Sequence, residues 1–228
     1  MKPLERLGTA RTPDGSTLEL FRHDGAYLIR ADGVELMSTR RHLSEDQLAE
    51  LACAGLREQP CVRVLIGGLG LGFTLRTALA ALGPDAEVVV AELIPEVIAW
   101  NRDPAFELSA EALKDPRVRV VQGDVTALLR AHPGHFHAIM LDTDNGPDGM
   151  ILRENTALYS RPGVHATKAA LCDGGTIAYW SVADDPKFAA QLLHAGMTVA
   201  THRVRAHATS GPYHTIYVAV PRPSASRG

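Results

Sequence analysis

The spacing of apolar residues changes character along the chain. Residues 17–22, 26–30 and 34–38 alternate apolar with polar, and His23-Asp24-Gly25 and Ala31-Asp32-Gly33 separate them. Turn residues between alternating runs predict hairpins, so this stretch reads as a small β-meander. The spacing then turns helical. Leu48, Leu51, Ala52 and Leu56 fall on one face, with Ser44 as expected N-cap, Gln47 as its capping-box partner and Gln59-Pro60 as the stop. From Cys61 onward, strands are predicted at 62–66, 87–91, 117–121, 137–141, 176–180, 197–204 and 215–220. Helices are predicted at 73–82, 95–101, 125–130 and 186–194, and another includes 167–171 and is stopped by Asp173-Gly174-Gly175. The strands are nearly continuous apolar runs, as in parallel strands covered on both faces. The fold class is therefore α/β: a doubly wound, mostly parallel, seven-stranded Rossmann-like sheet. The last two strands lack a helix between them, which predicts an antiparallel C-terminal edge pair. The expected organisation is an N-terminal β-extension over 1–43, an α/β domain over 44–220 and a fraying tail rich in Pro and Ser over 221–228.

Composition narrows the function classes. Of 228 residues, 46% are apolar, enough for a substantial core. Lys plus Arg is 23 and Asp plus Glu is 26, and the resulting charge of −3 speaks against a dedicated nucleic-acid binder. The three cysteines, Cys53, Cys61 and Cys172, form no disulfide framework or zinc pattern, so a reducing cytoplasm is expected. No signal-peptide core or membrane-length apolar run is visible.

The candidate chemistry lies at the ends of successive predicted strands. Gly67, Gly68, Gly70 and Gly72 link the first of them to a helix, which lets a ligand approach main-chain N–H groups. Glu92 ends the next strand, with Leu93 beside it; an acid there can accept hydrogen bonds from both ribose hydroxyls of a nucleoside. Asp124, with Val125, follows the third strand and reads either as an acceptor for an adenine amino group or as a plain N-cap. Asp142, Asp144 and Asn145 follow the fourth. Carboxylates there can hold an amine and take its proton, or the segment is an Asx-turn before Gly146-Pro147. Tyr159, Tyr179 and Trp180 are candidates for an aromatic wall around a cation, with core packing as the alternative for the last two. Arg40 either reaches over the pocket or belongs to a solvated turn. His132, His135 and His137 cluster without a fourth ligand nearby, and no metal is expected.

Four stretches resemble the spermidine synthase group. They are Val-Leu-Ile-Gly-Gly-x-Gly from Val64, Val-Val-x-Ala-Glu-Leu-Ile-Pro-Glu-Val-Ile from Val88, Asp-Pro-Arg-Val-x-Val-Val-x-Gly-Asp from Asp115, and Phe-x-Ala-Ile-Met-Leu-Asp-x-Asp from Phe136. The resemblance implies the class I S-adenosylmethionine methyltransferase fold, with S-adenosylmethionine or its decarboxylated form as cofactor. It implies that Glu92 binds the ribose, Asp124 the adenine and the glycine turn the methionine-derived part, and that Asp142 is the first aspartate of the group's Asp-x-x-Asp loop. A homodimer fits it too. Three positions depart. Leu71 stands where the aminopropyltransferases carry the aspartate that holds the cofactor's amino group. Asn145 stands where the loop's second aspartate, the usual base, belongs, with Asp144 one residue early. The segment Leu43-Ser44-Glu45-Asp46-Gln47-Leu48 replaces the Tyr-His-Glu stretch that lines the polyamine site, so the expected carboxylates are missing there. The resulting expectation is a transferase acting on a small amine-type nucleophile, by methyl transfer, without nucleic-acid or membrane partners. Aminopropyl transfer and a non-catalytic nucleoside-binding subunit are the alternatives.

Overall fold

The computed structural model describes residues 3–142, 156–207, 209 and 211–223. Asp144 and Asn145 therefore lie outside the described residues. A four-stranded antiparallel sheet comes first: β1 (Glu5–Arg11), β2 (Thr17–His23), β3 (Ala26–Ala31) and β4 (Val34–Ser38), in that spatial order. β1 is absent from the sequence reading because it is an edge strand with little to bury: within Glu-Arg-Leu-Gly-Thr-Ala-Arg, only Ala10 is buried.

The main sheet has the order β10-β11-β9-β8-β5-β6-β7. Its strands are β5 (Arg63–Gly67), β6 (Glu87–Glu92), β7 (Val118–Gln122), β8 (Phe136–Leu141), β9 (Leu171–Ser181), β10 (Met197–Arg205) and β11 (Tyr213–Pro221). The five from β9 to β7 are mutually parallel, and β11 runs antiparallel to both β9 and β10. The chain leaves β5 toward β6 and β7, then returns to β8 on the other side. Strand order thus reverses between β5 and β8, where doubly wound sheets hold ligands.

Helices cover both faces: α1 (Leu43–Ala52), α2 (Phe73–Ala81), α3 (Pro95–Arg102), α4 (Val125–Ala131), α5 (Thr156–Tyr159), α6 (Arg161–Ala170) and α7 (Pro186–His194). Their starts are written locally. Asp124, Ser160 and Asp185 cap α4, α6 and α7 by accepting backbone N–H bonds, and prolines occupy the first turns of α3, α6 and α7. Side chains alternate across each strand. Val64, Ile66, Val88, Val90 and Met140 face a core shared with the small sheet's Leu18, Leu20 and Ile29. Leu65, Val89, Ile139 and Leu141 face a second core with Leu129 and Phe188. Among the described residues no helix is long and apolar enough to cross a membrane.

Two local expectations are corrected. Ser44 is not the cap of α1: His42 holds that position without a side-chain cap bond, and the Ser44 hydroxyl turns to Glu45 and His214. The helix stops at Ala52, ahead of Gln59-Pro60. Asp173-Gly174-Gly175 does not end a helix. It lies inside β9, where pairing with β8 slips from Phe136–Leu171 to Ala138–Thr176, a bulge absorbed by the glycines.

Leu48 is fully buried on α1, which packs against α2 and the β8–β11 half of the sheet. Leu48→Ala is expected to cost about 2–5 kcal/mol, read as a lowered urea midpoint at unchanged m-value.

Candidate functional site

Parallel pairing brings the C-terminal tips of four strands to one rim. Gly67 sits in register with Ala91 and Leu141, and Glu92 with Gln122. Backbone bonds extend the ladder beyond the strands: Gly68 N–H donates to Ala91 (2.9 Å), Gly123 N–H to Glu92 (2.8 Å) and Asp142 N–H to Gly67 (2.9 Å). The glycine turn, Glu92, Asp124 and Asp142 are therefore neighbours on this rim.

The turn is held from several sides. Glu92 Oε2 accepts from Leu69 N–H and Oε1 from Ile94 N–H, both at 2.8 Å. Asn101 Nδ2 donates to Gly70 O at 2.8 Å, and Ser109 Oγ donates to Asn101 Oδ1 at 2.6 Å. Arg76 Nη1 donates to the carbonyls of Leu71 (3.2 Å) and Leu108 (3.1 Å). The Arg76 guanidinium lies 4.3 Å over the Phe73 ring, and the other end of the stack is His42, parallel to Phe73 at 4.0 Å. Gly72 has φ +77°, and a Cβ there would stand 2.4 Å from Ser109 Cβ. A Cβ on Gly70 would stand 2.9 Å from the Met37 thioether, so β4 of the small sheet reaches this turn.

Burial makes the rim's carboxylates hard to charge. Glu92 is 8% exposed, and burial raises its pKa against the opposing pull of its backbone N–H partners. Asp142 is 9% exposed and accepts from Thr74 Oγ1 at 2.6 Å. Burial, helped by the Glu92 charge, pushes it up to about 6 despite that bond. The same Thr74 hydroxyl lies 3.5 Å from the Glu45 carbonyl. The main chain of Glu45 on α1 thus comes near Asp142; burial first, and the Asp142 charge second, push the Glu45 carboxyl up to about 8. The pair titrates as a unit.

Other expected residues are placed as follows. Asp124 is exposed, and its Oδ1 caps α4 by accepting from Thr126 N–H at 2.8 Å. Val125 is buried against Gly67, and Leu93 packs at the edge of the first core. Tyr159 and Tyr179 lie in the second core, both edge-on to Phe188, and Tyr159 Oη donates to Trp180 O at 2.9 Å. Trp180 lies on the first-core face and packs edge-on against His214. Arg40 points elsewhere, to the Asp24 carbonyl (3.1 Å) in the β2–β3 turn. Among the described residues no His, Cys, Asp and Glu cluster could hold a metal.

The strand order and the attached small sheet decide the fold relationship. Over 94% of this chain and 72% of its own, the spermidine synthase of Thermotoga maritima superposes with a TM-score of 0.71 at 18% identity. The fold is spermidine synthase-like. Putrescine N-methyltransferase 4 of Nicotiana tabacum is 34% identical over 116 residues, 50% of this chain and 28% of that protein. Polyamine aminopropyltransferase 2 of Pseudomonas aeruginosa is 31% identical over 135 residues, 56% of this chain and 36% of that protein. The chain thus spans about a third of the length of these curated relatives. No family model matches.

Within this spermidine synthase-like frame, two details could not be read from sequence. Leu71 is 2% exposed and packs into the first core, so its side chain is not on the turn's open face. Glu45 supplies a carboxylate from the segment where none was expected at the site. Its only signal, an acid in the first helical turn, ordinarily means a favourable helix dipole.

Both raised acids bind protons more tightly in the folded chain than in the unfolded one. Their contribution to stability is complete below their ordinary values of 3.8 and 4.5, and is lost as pH rises through about 6 and about 8. The melting temperature is therefore expected to fall from acidic to alkaline pH, with Glu92 adding in the same direction. Glu45→Gln should flatten the fall between about pH 6.5 and 8.5, measured by scanning calorimetry.

Proposed function

We propose that this protein is an S-adenosylmethionine-dependent transferase that methylates a small amine. The observation that carries this reading is the concentration of carboxylates, buried Glu92 and Asp142 with half-buried Glu45 near them, beside a glycine turn at the sheet's switch point. Buried carboxylates without cationic partners favour a positively charged guest. A sulfonium and an alkylammonium are both such guests. The polyamine enzymes among the relatives support an amine acceptor, and putrescine is the first to try.

The residues fit the cofactor's parts. Glu92 is oriented by the backbone donors of Leu69 and Ile94 at the β6 tip, where a carboxylate can accept from ribose hydroxyls. Asp124 stands exposed at the next tip, where an adenine amino group can donate to it. The turn at 67–72 has no acidic side chain and the first turn of α2 contributes none of its own; Asp142 meets that turn at Thr74, and the N-cap Gly72 makes no side-chain bond. That helix end favours a carboxylate. Intact S-adenosylmethionine has one and the decarboxylated form does not, which supports methyl over aminopropyl transfer. When bound, the cofactor supplies an electrophilic carbon on a good leaving group. The protein's task is then to strip a proton from the acceptor nitrogen and hold its lone pair in line. Asp142, locked by Thr74, orients that nitrogen. Aminopropyl transfer is the second reading, favoured by the likeness to the aminopropyltransferase of Pseudomonas aeruginosa.

Calorimetric titration with both cofactors decides between them. S-adenosylmethionine is expected to bind and its decarboxylated form to bind at least about tenfold more weakly; binding of the decarboxylated form alone would falsify methyl transfer. Glu92→Gln is expected to weaken cofactor binding about tenfold or more, through the lost ribose acceptor.

A further inference from the structure

Glu45 has no role in the cofactor site, yet it is built in rather than left on a surface. Its helix α1 packs on β8, β9, β10, β11 and α2, and Ser44, Leu48, Ala49 and Ala52 anchor it. Thr74 lies between the two residues, donating to Asp142 Oδ2 at 2.6 Å while lying 3.5 Å from the main-chain carbonyl of Glu45. On its other side Glu45 Oε2 bonds Ser44 Oγ, which in turn reaches His214 Nδ1 at 2.9 Å. We propose that Glu45 pairs with Asp142 to seat the acceptor's ammonium, and that Glu45 is the group that takes its proton. This assignment rests on the amine-transfer reading and names the proton acceptor within it.

The proton step balances within the pair. An N–H bond of the ammonium breaks, its electrons stay on nitrogen as the lone pair, and the proton forms an O–H bond on Glu45. The charged and titratable groups around Glu45 explain why that residue takes the proton. Asp142 faces it from the β8 tip, with Glu92 beyond, and Asp46 adds negative charge from the next position on α1. Arg76 of α2 acts on Asp46, His42 Nδ1 lies 2.6 Å from Asp46 Oδ2, and Arg41 acts on His214. His214 of β11 touches Glu45 through Ser44, and burial lowers the pKa of that histidine, favouring the neutral ring. His202 of β10 lies two residues before Val204, on the same side of its strand. Negative neighbours thus outweigh positive ones, and a proton on Glu45 relieves their repulsion.

The test is calorimetric titration of putrescine into the full chain saturated with S-adenosylhomocysteine, at pH 7 in two buffers of different ionisation enthalpy. The native protein is expected to release about one proton per putrescine, because the pair gives up its shared proton when a cation arrives. Glu45→Gln is expected to release none and to bind putrescine about tenfold or more weakly, with S-adenosylhomocysteine affinity unchanged. Glu45→Asp should restore part of both effects, and it replaces Glu45→Gln if that variant does not fold. Equal proton release and affinity in native and Glu45 variants would overturn the assignment. So would S-adenosylhomocysteine binding with no putrescine response, which leaves the cofactor reading standing. Failure of the native chain to bind any adenosyl cofactor would sink the transferase reading itself, and this assignment with it.

Discussion

The site depends on a carboxylate placed where water barely reaches it. Glu92 ends β6 nearly buried, and isolated burial of a charge is among the costlier acts in a protein interior. Two main-chain N–H groups, from Leu69 and Ile94, offset that cost by bonding one oxygen each. The same two bonds tie the turn after β5 to the start of α3. Loss of the carboxylate would leave two buried donors unanswered and release the turn, so the proposed cofactor recognition and local folding share one side chain.

From that pin the electrostatics follow. Asp142 cannot ionise freely beside a second buried acid, and Glu45 cannot ionise freely beside Asp142. Apolar packing beneath the rim keeps the surrounding dielectric low, which strengthens both repulsion among the acids and attraction for a cation. Polyamine enzymes among the relatives and a spermidine synthase fold are consistent with this arrangement.

Much of the fold was legible because parallel strands buried on two faces become apolar runs, and the glycine turn and the acids at residues 92, 124 and 142 follow such runs directly. Position at a strand end is a local property. What stayed hidden was rotational or long-range. Glu45 looks like any acid in a first helical turn, and only the way α1 packs on β8 brings it within reach of the Asp142 charge. Asn101 reads as a polar residue late in a helix, yet it holds the Gly70 carbonyl. Ser44 matches a capping box by spacing, but His214, 170 residues away, claims its hydroxyl. Asp173-Gly174-Gly175 looks like a helix stop because glycine punctuation does not distinguish a cap from a bulge. The edge strand β1 has too few buried side chains to announce itself.

The layered stack of His42, Phe73 and Arg76 has a mechanical consequence. Its imidazole belongs to the residue preceding α1, its benzene ring opens α2, and its guanidinium grips the carbonyls of Leu71 and Leu108. Flat faces in contact resist tilting, since any tilt opens a gap on one side. A shift at Leu108 is therefore passed, plate by plate, to the residue from which α1 begins, and the segment after α3 moves in step with the helix that bears Glu45.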